Sequence, residues 1–139
     1  MTAKKYQHYY VVRLEKNEEI ISSLNKIAEE KKISGAFFFG LGVGKKLVLG
    51  YFDARKKSYI KKLFEGEYEF VSLSGNISRF SKETVIHAHA AITDKNFNAF
   101  GGHLFHGVVP ATLELIILPT GERLNRKKDR KTGLNLLDL

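Results

Sequence analysis

One helical stretch followed by a long succession of β-textured segments is the feature that most constrains this chain. Ile20, Ile21, Leu24, Ile27 and Ala28 recur at helical spacing and make one apolar face. Asn17 stands at the position expected for an N-cap, with Glu18 and Glu19 in the first turn, where the helix dipole favours anions. Lys31 and Lys32 suit the opposite end, and Gly35 lies just beyond it. Tyr9–Leu14, rich in Tyr and Val, reads as a first strand. After the helix, Ala36–Val43, Lys46–Asp53, Ser58–Phe64, Glu67–Asn76, Thr84–Thr93, Ala99–Phe105 and Ala111–Leu118 are short, rich in aromatic or branched residues, and separated by turn formers. This order predicts an α+β fold with a mainly antiparallel sheet, not alternating βα units.

A length of 139 residues suits a single domain, and a 43% hydrophobic content with 10 Phe and 6 Tyr can fill its core. There is no cysteine, which excludes disulfides, a thiolate nucleophile and any cysteine-based zinc site. Met1–Gln7 is polar and does not read as a signal peptide. Ile33–Gly44, the longest apolar stretch, is too short and glycine-rich to cross about 30 Å of hydrocarbon. A cytoplasmic protein without membrane contact is the expectation.

Of the basic residues behind the net charge of +8, six cluster near the C-terminus, at Arg123, Arg126, Lys127, Lys128, Arg130 and Lys131, and others come as the pairs Lys4-Lys5, Lys45-Lys46, Lys56-Lys57 and Lys61-Lys62. Such a tail reads either as solvated surface or as an electrostatic footprint for nucleic acid or acidic partners. The stretch 119–139 is expected to be mobile unless a neighbouring subunit holds it. The glycine run Gly40-Leu41-Gly42-Val43-Gly44-Lys45 does not bind nucleotide phosphates by either common pattern. A dinucleotide fingerprint needs Gly where Lys45 stands, and a P-loop needs Ser or Thr where Lys46 stands. These glycines read as bends, bulges or close backbone contacts within a sheet.

Ile86-His87-Ala88-His89-Ala90 carries the chemistry. Strand side chains alternate between faces, so His87 and His89 point one way and both alanines the other. Asp94-Lys95-Asn96-Phe97-Asn98 looks like a hairpin turn. Centred on Asn96, it pairs residues whose numbers sum to 192, which sets His103 across from His89. Three imidazoles then share one patch, with Gly101-Gly102 leaving room beside them. Neutral imidazole is the commonest protein ligand for zinc, and three histidines with an open fourth position suit a divalent ion. His106, three residues beyond His103, should face away, and His8 has no evident role.

Phe39-Gly40-Leu41-Gly42, Leu49-Gly50-Tyr51-Phe52, Tyr68-Glu69, Ser72-Leu73-Ser74-Gly75-Asn76-Ile77, His87-Ala88-His89 and Gly101-Gly102-His103-Leu104 occur in that order, followed by Glu114. Together they resemble the plants and prokaryotes conserved (PPC) domain in its stand-alone prokaryotic form, over about residues 9–118. The resemblance implies an antiparallel sheet flanked by a few short helices besides the main one. It also implies a homotrimer, and zinc on the residues at His87, His89 and His103. In plants the domain follows AT-hook DNA-binding motifs and mediates association with partner proteins. This chain has no Arg-Gly-Arg-Pro core, so any DNA binding would rest on its Lys/Arg surface, be non-specific and weaken with salt.

The fold expectation also resembles, distantly, acetolactate decarboxylase and a related zinc-dependent ester hydrolase, which place metal on a His-x-His pair plus a later histidine. Two functions are therefore carried forward. One is an oligomeric metal-binding module with a regulatory or DNA-associated role. The other is a zinc-dependent enzyme, a lyase or hydrolase acting on a small acidic ligand. Glu69 and Glu114 would be its acid/base candidates and Arg79 an anion clamp.

Overall fold

In a computed structural model that describes residues 1–139, nine strands surround a single helix. They run β1 (Thr2–Lys5), β2 (Tyr10–Glu15), α1 (Ile20–Glu30), β3 (Ala36–Asp53), β4 (Ser58–Phe80), β5 (Glu83–Thr93), β6 (Ala99–Val108), β7 (Thr112–Pro119), β8 (Asn125–Lys128) and β9 (Asn135–Asp138). The sheet order is β1-β2-β7-β3-β6-β5-β4-β8-β9, with a further β3–β4 pairing. All these ladders are antiparallel except the short β4–β8 contact. Because β3 also pairs with β4, the ladders β3–β6, β6–β5, β5–β4 and β4–β3 close a circuit.

The α+β expectation holds, with differences in detail. The four segments expected between Ala36 and Asn76 fuse into two long strands, and register shifts at Gly40/Gly42 and Lys45/Leu47 bend the β3–β4 ladder without ending it. The glycine run therefore supplies bulges, and Gly42 takes the left-handed φ of 143° that a side chain would resist. No short helices flank the sheet, because long strands and tight hairpins leave no connection that could hold one. The helix begins later than Asn17 implied. Asn17 sits in a turn at φ 71°, and the carboxylate of Glu19 caps α1 by accepting from the N–H groups of Ile21 (3.2 Å) and Ser22 (2.6 Å).

Alternation sends Val12, Phe38, Leu73, Ile77, Ala88, Ile92, Leu104 and Leu115 to the face where Ile20, Leu24 and Ile27 of α1 meet them, in one cluster of 24 buried residues. Each large side chain buried there contributes about 2 kcal/mol. Ala88 and Ala90 are buried while His89 between them is exposed, so the histidine face of β5 is turned from this core.

The tail does not behave as a mobile appendage. Leu124 N–H donates to the carbonyl of Ser34 (3.2 Å) and Arg79 N–H to that of Leu124 (2.8 Å). Beyond these anchors β8 and β9 form a hairpin along the edge of β4. No helix is long and apolar enough to cross a membrane.

Candidate metal centre

Turn chemistry builds the centre. The side chain of Asp94 accepts from the backbone N–H groups of Asn96 and Asn98, both at 2.9 Å, and Asp94 N–H donates to the carbonyl of Asn98 at 3.2 Å. That locks the β5–β6 hairpin into the register Thr93↔Ala99 through His89↔His103. His87 joins them from two residues upstream. The ring centroids stand 5.1 Å (His87–His89), 5.1 Å (His87–His103) and 5.4 Å (His89–His103) apart. One nitrogen from each ring lies within 4.8 Å of the others. Around a tetrahedral zinc the nitrogens stand about 3.3 Å apart, a gap that small side-chain rotations close.

Glycines set the backbone spacing. A Cβ on Gly75 would lie 2.0 Å from the carbonyl oxygen of His87 and 2.6 Å from the Phe38 ring, so only glycine lets β4 approach β5 there. Gly102, expected to make room beside the histidines, makes it for backbone: a Cβ would stand 2.7 Å from the carbonyl oxygen of Gly50 on β3.

The surroundings of His87 and His103 favour their neutral form. His103 packs between Tyr59 (5.1 Å) and Phe105 (4.4 Å), and its Nδ1 is buried without a hydrogen-bond partner. Burial, then the charges of His87, His89, Lys61 and Arg126, push its pKa down to about 4. Burial followed by Arg126 and His89 also holds His87 below the ordinary histidine value. Neutral rings are the ligating form.

Arg126, assigned from sequence to the basic tail, turns into this site. Its guanidinium donates to Ser78 Oγ (2.7 Å), Asn76 Oδ1 (2.8 Å) and the carbonyl of Asn135 (2.5 Å), and its Nη2 lies 3.4 Å from His87 Nδ1. A guanidinium can only donate, so the Nδ1 facing it carries no proton. With Tyr59, Val85, Ile86, His87, His103, Leu134, Asn135 and Leu136 it lines a pocket of about 230 Å³.

The other sequence candidates lie elsewhere. Glu69, opposite Thr93, lines a separate depression with Val43 and Phe97, and Glu114, opposite Leu41, lines an apolar one with Phe39 and Val11. Arg79 donates to Glu29 of α1 at 2.8 Å and does not line the histidine pocket. His106 faces away as expected, with Nδ1 3.4 Å from Glu19 Oε1. In the tail, Arg123 donates to the carbonyl of Ser81 and Lys127 pairs with Asp138, which leaves Lys128, Arg130 and Lys131 exposed.

The sequence also matches a known family. The model of the Plants and Prokaryotes Conserved (PCC) domain covers residues 1–120 of the chain. The chain belongs to that family. Solved relatives of this PCC domain share its whole length. A metal-containing protein from Archaeoglobus fulgidus is 31% identical, with 100% of each chain covered and a TM-score of 0.88. A PPC protein from Pyrococcus horikoshii is 30% identical, over 99% of this chain and 94% of that one, at a TM-score of 0.87. A Bacteroides thetaiotaomicron protein, named for an inferred DNA-binding role, is 29% identical over 99% and 96% of the two chains, at a TM-score of 0.95. No curated protein matches the sequence. Arg126 and the pocket wall at Leu134–Leu136 lie beyond the residues that the family model matches.

Proposed function

We propose that this PCC domain is an oligomeric metal-binding module that holds one divalent ion, zinc in the first instance, on His87, His89 and His103. The observation that carries the reading is the convergence of three ring nitrogens within 4.8 Å, one ring having a buried Nδ1 that nothing in the chain satisfies. A zinc ion bound by three imidazoles supplies a Lewis acid with room for a further ligand. The chain's own part is to hold neutral rings in a fixed register and to wall the pocket with Arg126, Leu134 and Leu136. The metal content of the Archaeoglobus relative supports the same reading. Elemental analysis of purified protein, with zinc titrated against a chromophoric chelator, tests it. One equivalent per chain is expected, and a chain that neither carries nor takes up a divalent ion contradicts it.

Self-association has its own support. Phe37, Phe39 and Leu41 on β3 are exposed at 49%, 49% and 62%, and Val11 and Leu118 extend the same uncovered face. A homotrimer closed through this face accounts for so much exposed apolar surface. Association with DNA is supported by the name of the Bacteroides relative and by the exposed Lys128, Arg130 and Lys131. Retention on duplex DNA should fall steeply between about 50 and 200 mM salt; a salt-independent signal, or none, removes this role. The enzyme reading, a lyase or hydrolase, has less behind it. The histidine pocket holds no carboxylate to act as acid or base, and Glu69 and Glu114 would have to act from outside it.

A further inference from the structure

We propose that the pocket beside the histidines binds a small organic carboxylate, with the Arg126 guanidinium as its counter-charge. The inference rests on the metal reading above and names the ligand class of that site. Arg126 is half-buried, and its three close acceptors, Ser78 Oγ, Asn76 Oδ1 and the Asn135 carbonyl, are all neutral oxygens. None of the ion pairs in the structure includes it. A cation withdrawn from water without a partner is costly, and proteins rarely leave one so.

The imbalance grows around it. Lys61 Nζ lies 4.0 Å from the centre of the Phe105 ring, which itself packs on His103. The pocket lining contains no Asp or Glu, and three neutral imidazoles would leave the full charge of a divalent ion uncompensated. Arg126 and Lys61 thus lack a protein anion, and a bound divalent ion would add a third uncompensated charge. The three hydrogen bonds hold the planar guanidinium in place and leave one Nη1 hydrogen free to donate to a carboxylate oxygen. Val85, Ile86, Leu134 and Leu136 form the remaining walls. Those side chains suit a short hydrocarbon body, which a free phosphate does not have.

Isothermal titration of butyrate into the zinc-loaded full-length chain, with zinc measured in every sample, tests the proposal; inorganic phosphate and 1-butanol serve as comparisons. Butyrate should bind more tightly than either. Arg126→Gln should weaken it by about tenfold or more at unchanged zinc content. Leu136→Asp, a change at an exposed position of the pocket rim, should weaken it similarly and decides the matter if the Arg126 variant fails to fold. Equal butyrate affinity in the variants and wild type overturns the proposal, as does a preference for phosphate or 1-butanol. If zinc is present and butyrate is not bound, this inference alone fails; if zinc is not taken up, the metal reading fails and this one with it.

Discussion

His89 on β5 stands directly across the ladder from His103 on β6, and the turn held by the Asp94 side chain is what puts them there. Strand side chains repeat every two residues, so a one-residue slip in that turn would send one ring to the core face and leave the other outside. The centre depends on register before it depends on ligand chemistry.

Removing one ring should therefore empty the centre while sparing the fold. His87→Ala and His103→Ala are each expected to bring bound zinc to below about a tenth of an equivalent, since two imidazoles make a poor zinc site. Elemental analysis beside circular dichroism checks this. Full occupancy in either folded variant would rule out the ligand set.

Acid should destabilise the metal-free protein over a window that these histidines define. Both His87 and His103 titrate below the ordinary histidine value of 6.5 when folded, His103 at about 4. Between those values the unfolded chain binds more protons than the folded one, so stability is complete above pH 6.5 and is lost as pH falls towards 4. Thermal melts of chelator-treated protein at pH 7.5, 6.5 and 5.5 should show the Tm falling. His103→Ala should lose less over the same range; an identical fall in both would acquit His103.

Gly75→Ala should be costly out of proportion to a single methyl group. Its Cβ would meet the carbonyl of His87 and the Phe38 ring, so β4 and β5 would have to separate. A loss of about 2 kcal/mol or more is expected from urea unfolding, with weaker zinc uptake because His87 rides on the displaced strand. A wild-type unfolding midpoint would show that the ladder can give.

Charge on the uncovered face should dissolve the assembly without unfolding the subunit. Phe39→Asp and Leu41→Lys both replace exposed side chains that take no part in the core. Light scattering should report a trimer for the wild type and a monomer for the double variant. A wild-type monomer at micromolar concentration would contradict the trimer.

Much of this was legible in local pattern. Ile20, Leu24, Ile27 and Ala28 announced α1 because a 3.6-residue period survives in any buried amphipathic helix. Its start was misplaced, since Asn17 is a common cap and Glu19 an uncommon one, and only the backbone angles decide between them. The fusion of four expected segments into β3 and β4 was not legible either. Bulges at Gly40/Gly42 and Lys45/Leu47 carry the same residues as turns, and pairing on both sides decides whether a chain continues or reverses. The sequence Asp-Arg-Lys-Thr-Gly at 129–133 is a turn signal in the tail, but the flanking Lys and Asn residues conceal the hairpin.

The sequence by itself determined the α+β class and the meeting of His87, His89 and His103, because period-two alternation and a five-residue turn act through neighbours in the chain. Only the tertiary structure decided the placement of Arg126, which joins Asn76, Ser78 and His87 across 39 to 50 residues. It also moved Glu69, Glu114 and Arg79 away from the histidine pocket. Contacts at that separation leave no local periodicity to read: they follow from which strand edges remain unpaired once the core has closed, and here the edge of β4 recruited the tail.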